Sequence, residues 1–134
     1  MAPCYEIPIE MWFSGLDIYG HVNSVGYFDY LETARVRLMS GLYRELTDMG
    51  IRLPVARTEC DYKLPILFGD TVVAVTIPRI GGSSFDLAYR IHDRAGKTFA
   101  AAKTVMVCYD SVKSATMPVP DMLRKMAAGG GKGP

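Results

Sequence analysis

Beyond residue 50 the chain reads almost without a break as β-strand, and only one long helical stretch precedes that run. From Val25 to Ser40, Tyr27, Leu31, Ala34 and Leu38, with Leu42 just past the end, recur every three or four residues and form one apolar face. Asp29, Glu32, Thr33, Arg37 and Ser40 gather on another side. Residues 53–64, 71–80, 84–93 and 97–110 then read as strands, separated by Pro65 and "FGD", by Gly81-Gly82-Ser83 and by "DRAG". Tight turns joining the last three runs predict an antiparallel meander. In "SFDLAYRI", Phe85, Leu87, Tyr89 and Ile91 share one face, and Asp86 and Arg90 lie on the other. Ala100 to Val107 is apolar on both faces, which predicts a central strand.

A helix of this length spans about 24 Å at about 1.5 Å per residue. Neither its apolar face nor that of the sheet can be buried alone. The sequence therefore predicts an α+β domain, with about five antiparallel strands wrapped around one long α-helix. Residues 4–13, "CYEIPIEMWF", supply the first strand, with Pro8 marking an edge or irregular position. "LYRELTDMG" is a shorter helical turn ending at Gly50, and "PDMLRKMAA" a short terminal helix. We expect a single domain over residues 1–128 and a flexible tail at 129–134.

Other readings are narrowed by composition. A net charge of +1 argues against a polybasic surface for nucleic acid or membrane. No apolar run reaches the length of a transmembrane helix, and "MAPCYEIPIEMW" lacks the basic-then-apolar pattern of a secretory signal. Cys4, Cys60 and Cys108 are odd in number and far apart, as reduced thiols would be, so a cytoplasmic location is expected. Two His residues without CxxC or HxxxH predict no metal site, and no cofactor is expected. Cys60 reads as a buried structural thiol and His92 as an exposed turn residue. "GGSSF" is not a serine nucleophile elbow.

The polar stretch "LDIYGHVNSVGYFDYLETAR" leads directly into the helix. Asn23 or Ser24 can cap it by accepting a bond from a first-turn amide. Those amides are otherwise unpaired, with about half a positive charge at that end. A carbonyl oxygen held there would gain most as it becomes an oxyanion. Asp17, on a glycine-hinged loop upstream, can supply a carboxylate. An Asx-turn residue is the ordinary reading of such an Asp, as plain capping is for Asn23 and a hydrogen-bonded loop histidine for His21. Arg35 falls among Phe28, Met39 and Leu42, and Glu32 is its expected structural partner.

The same stretch closely resembles the signature of the hotdog-fold acyl-CoA thioesterases, the 4-hydroxybenzoyl-CoA thioesterase-like superfamily. Asp17, Gly20, His21, Val22, Asn23, Tyr27, Tyr30, Glu32, Ala34 and Arg35 carry the likeness, and "YKLPILFGDTVVAV" extends it. Ser24 departs from it, standing where many members have a second Asn. The resemblance implies hydrolysis of an acyl-CoA thioester to a free acid and coenzyme A. Asp17 would be the catalytic carboxylate, as nucleophile or as general base, and the amide of Ser24 or a first-turn neighbour the oxyanion donor. His21 and Asn23 would orient the loop, with Gly20 and Tyr27 beside the substrate. Arg57, Arg79, Ser83 and Ser84 would meet coenzyme A; Lys63 and Arg90 are further cations that could. Several members carry a basic cluster at the turn where this chain has Gly-Gly-Ser-Ser. A weaker grip on the nucleotide would favour an acyl carrier protein as acyl donor. A homodimer or dimer of dimers is implied, with sheets joined edge to edge. A dehydratase lacks its His before Pro-Gly here, and a non-catalytic acyl-CoA-binding module would not need Asp17.

Overall fold

The protein is described here from a computed structural model, which covers residues 3–10, 16, 18–67, 69 and 71–129. Its elements are β1 (Cys4–Ile9), α1 (Ser24–Leu38), α2 (Ser40–Asp48), β2 (Ile51–Arg52), β3 (Val55–Tyr62), β4 (Thr71–Ile80), β5 (Ser84–His92), β6 (Thr98–Val107), β7 (Tyr109–Asp110), β8 (Ala115–Thr116) and α3 (Asp121–Ala127). Five strands form the main sheet in the order β1-β4-β5-β6-β3, with antiparallel neighbours throughout. A small second sheet has the order β2-β7-β8. Helix α1 packs on β1 and β4. The α+β architecture is the expected one.

Register explains which side chains make the core. Val75, Tyr89, Ala102 and Cys60 lie opposite one another across four strands and so share a face. That inner face, with Val73, Leu87 and Ile91 fully buried, meets Leu31, Ala34 and Leu38 of α1. Ala34 is fully buried, so a larger side chain would push the helix off the sheet. Removing Leu31 down to Ala would cost about 2–5 kcal/mol, the usual range for a buried leucine.

Several boundaries shift. The helix ends at Leu38, and a second one starts at Ser40, whose hydroxyl bonds the Arg37 carbonyl at 3.2 Å at the break. Such local bonding competes with the helical ladder. Gly50 does close α2, at φ +78, the left-handed region that glycine tolerates. Strand β6 is interior, but β5 holds the centre. His92 corrects the exposed-turn reading: it ends β5 and is only 6% exposed. Its Nδ1 accepts the Arg94 amide, and Nε2 lies 3.4 Å from Glu6 Oε1. Asp86 is buried too, although it points to the outer face. Cys60 is half-buried and Cys108 is the fully buried thiol, its pKa raised to about 11 by burial. No described helix is long and apolar enough to cross a membrane.

Candidate active site

The N-terminus of α1 is held by the segment that joins β3 to β4. The Val22 amide donates to the Ile66 carbonyl at 2.8 Å, and His21 forms a bridge to Leu67. Tyr27, buried on the first turn, donates its hydroxyl to the Leu64 carbonyl at 3.2 Å. Burial raises the pKa of that phenol, so it stays protonated and able to donate. Tyr62, the last residue of β3, meets the Tyr27 ring edge-on at 4.8 Å and bonds the Ser24 carbonyl. Gly20 bends the chain into this frame at φ +76.

Asn23 is the N-cap: its Oδ1 accepts the Gly26 amide at 2.9 Å from an extended backbone. With Gly26 satisfied by the cap, the amides of Ser24 and Val25 are the first-turn donors for which no described residue supplies an acceptor. Both residues line a cleft of about 530 Å³ that Ile9, Glu10, Asn23 and Asp29 also border. The cleft therefore joins two unpaired amides, a polar cap and room for an acyl group. Asp17, the expected carboxylate, lies outside the described residues.

The residues expected to meet coenzyme A are not at this mouth. Arg79, Ser83 and Ser84 sit at the β4–β5 turn. Tyr62 is in register, through Ala100 and Ile91, with Val73 near the start of β4. Ile80 is seven residues further along, about 23 Å at about 3.3 Å per residue. At the turn, Arg79 Nη2 lies 2.9 Å from Asp86 Oδ1 and bonds Ser84 Oγ at 2.9 Å. Lys103 Nζ adds a second cation 3.4 Å from Asp86 Oδ2. Hydrogen bonding from Arg79, ahead of that from Lys103, holds the Asp86 carboxyl below the usual range. The Ser83 carbonyl accepts the Cys108 amide. Arg57, on β3, pairs with Glu59 at 3.4 Å.

Two side chains that sequence reasoning passed over belong to the site. Tyr62 closes a strand just before Pro65, and only the turn between strands brings it to the helix mouth. Asp29 lies on the polar side of the helix, and it is that side which borders the cleft. Arg35 differs from expectation: its Nη1 donates to the Tyr89 hydroxyl at 3.3 Å, which in turn pairs with Thr104 Oγ1 at 2.8 Å. No Glu32–Arg35 pair is among the ion pairs of the described residues. Nor do those residues gather three or more His, Cys, Asp or Glu side chains able to hold a metal ion.

A sequence model described as the thioesterase-like superfamily matches residues 11–126, which include the whole helix mouth and the main sheet except β1. The chain belongs to the thioesterase-like superfamily. It is 28% identical over 106 residues to the Bacillus subtilis protein named "Putative acyl-CoA thioesterase YneP", covering 76% of this chain and 77% of that one. Among solved structures, the Pseudomonas aeruginosa PA2801 protein, described as "a putative Thioesterase", is 31% identical with a TM-score of 0.77, over 90% of this chain and 94% of that one. A thioesterase from Thermus thermophilus, solved with coenzyme A and Zn, is 26% identical with a TM-score of 0.78, over 92% of each chain. The sheet and helix of this superfamily member form the hotdog fold of those thioesterases, and its relatives in the acyl-CoA thioesterase family are distant.

Proposed function

We propose that this protein hydrolyses acyl-CoA thioesters to a free carboxylic acid and coenzyme A. The observation that carries the reading is that Ser24 and Val25, whose first-turn amides have no acceptor among the described residues, line a cleft in a thioesterase-like chain. The thioester oxygen would lie against these amides, which favour the tetrahedral oxyanion over the neutral carbonyl. The Asp17 carboxylate either attacks the carbonyl carbon or takes a proton from an attacking water. On the first route the thiolate of coenzyme A leaves and water cleaves the resulting mixed anhydride. On the second the water oxygen bonds the carbonyl carbon, and the oxyanion collapses to the acid as the thiolate of coenzyme A leaves. His21 and Asn23 shape the loop and cap that hold these groups.

The nucleotide end of the substrate calls for a second copy of the chain. Strand β1 is a blunted edge, because Pro8 has no amide and Arg37 covers its carbonyl at 2.7 Å. Strand β3 is an exposed eight-residue edge. Two copies pairing at β3 about a two-fold axis run antiparallel there. The β4–β5 turn of one copy then comes to the mouth end of the other. Arg79, Ser83 and Ser84 would serve a neighbouring site in that homodimer, as would Arg57 from the edge itself.

A second reading keeps the chemistry and changes the acyl donor. Arg79 is engaged by Asp86 and Arg57 by Glu59, so neither cation is uncommitted toward a phosphate. A weaker grip on the nucleotide would admit an acyl carrier protein as donor in place of coenzyme A. Thiol release from short, medium, long and aromatic acyl-CoAs, beside matched acyl carrier protein thioesters, tests both readings. Asp17→Asn and Asp17→Ala are each expected to lower turnover by at least about 100-fold. Ligand-induced stabilisation without any thiol release would make the protein a binding module instead.

A further inference from the structure

Within the peptide unit joining Ser24 to Val25, the carbonyl oxygen and the amide hydrogen are held in one plane on opposite sides. Whatever fixes the Ser24 carbonyl therefore also sets the direction of the Val25 N–H, the amide of a residue that lines the cleft and one for which no described residue supplies an acceptor. Tyr62 Oη donates to that carbonyl at 3.3 Å across 38 positions of sequence. The tyrosine is itself located by its edge-on contact with Tyr27, 4.8 Å between ring centroids. Tyr27 in turn is tied to the Leu64 carbonyl two residues beyond Tyr62. Burial raises the pKa of the Tyr62 phenol, which keeps it a donor at neutral pH.

We infer that Tyr62 is a positioning residue for the hydrolysis: from the end of β3 it holds the Ser24–Val25 peptide so that the Val25 amide points at the developing oxyanion. The inference rests on the thioester hydrolase reading and extends it to a residue on another element. Its effect is on the transition state more than on binding. A hydrogen bond to the carbonyl polarises the same amide, and a donor aimed at charge that appears only during reaction favours that charge selectively. A bond of 3.3 Å is weak. The expected effect is accordingly below the roughly 100- to 1,000-fold seen when an oxyanion donor is removed outright.

The test compares Tyr62→Phe with Tyr5→Phe. Tyr5 also donates to a main-chain carbonyl, that of Met126 at 3.0 Å, but on α3 away from the mouth. Thiol release by Tyr62→Phe should show kcat lowered about tenfold with KM within about twofold, a loss confined to the transition state. Tyr5→Phe should keep wild-type kcat, and the two variants should share a similar small drop in Tm. In the amide NMR spectrum the Val25 resonance should move in Tyr62→Phe and stay in Tyr5→Phe. An active Tyr62→Phe with wild-type kcat overturns the assignment, and so does a loss of kcat that merely follows Tm. A wild-type protein that releases no thiol from any thioester overturns the hydrolase reading itself, and the inference with it.

Discussion

The two ends of the β4–β5 hairpin are built on different principles. At the mouth end, α1 is held by backbone groups and neutral hydroxyls: the Val22 amide, the Tyr27 and Tyr62 phenols and the Asn23 cap. At the turn end, a buried carboxylate is held by two half-exposed cations, Arg79 and Lys103. Main-chain donors keep their direction when a charge forms nearby and need no counter-ion, which would suit the oxyanion of the proposed reaction. Ion pairs fix a hairpin but leave their cations occupied. On the proposed reading, catalysis falls at the end held by main-chain groups and hydroxyls, and the ion-paired end serves structure first of all.

The largest expected effect tests that division directly. Asp17→Ala should abolish most turnover, by at least about 100-fold. Arg79→Met should do the reverse. It leaves Asp86, only 4% exposed, with Lys103 alone, and should lower stability. Its kcat should hold, while KM for acyl-CoA rises several-fold if the turn serves a neighbouring site. Equal kcat losses in the two variants would break the comparison. Urea unfolding and steady-state kinetics on the same preparations decide it.

At Asn23 the expected effect is smaller. Asn23→Ala removes the side-chain acceptor of the Gly26 amide, leaving it the Asn23 main-chain carbonyl at 2.9 Å, and should cost about 1 kcal/mol. Asn23→Asp keeps an acceptor and should keep stability, but it sets a negative charge beside the two open amides. Its kcat should therefore fall below that of wild type although the fold is intact. If Asn23→Asp were as active as wild type, the mouth would not be stabilising negative charge.

How much of this was legible in the sequence follows from the range of the forces involved. The helix face at Tyr27, Leu31, Ala34 and Leu38 and the alternation from Phe85 to Ile91 are local periodicities, and both appear where the spacing put them. Asn23 was legible as a cap because capping is decided within three residues. The role of Tyr62 and the Asp86 pairing of Arg79 were not legible, because their partners lie 38 and 7 residues away and depend on how strands turn. His92 reads as a turn residue beside "DRAG", yet the neighbouring β1 and β4 strands bury it. Arg35 looked like half of a helical ion pair, and the sheet beneath it offered the Tyr89 hydroxyl instead.

The smallest expected effect concerns acid, and it separates the two ends once more. Asp86 at the charged end and Asp93 at the other end of β5 both ionise below the usual carboxylate range, for different reasons. Asp86 is lowered first by the Arg79 hydrogen bond, Asp93 first by the amide of Ala95 at 2.8 Å, with that of Lys97 at 3.0 Å behind it. A depressed carboxyl adds stability that is complete above the unfolded value of about 3.9 and is lost as pH falls through the native one. Stability should therefore decline below about pH 4, and Asp86→Asn or Asp93→Asn should each flatten part of that decline. The two parts separate in the Arg79→Met background. There the Asp86 contribution shrinks because its main partner is gone, while the Asp93 contribution, carried by main-chain donors, is unchanged. Unfolding midpoints from pH 2 to 7 (a range set around about 3.9) read both terms. If Arg79→Met left the acid decline as steep as in wild type, the charged end would not be held by that ion pair.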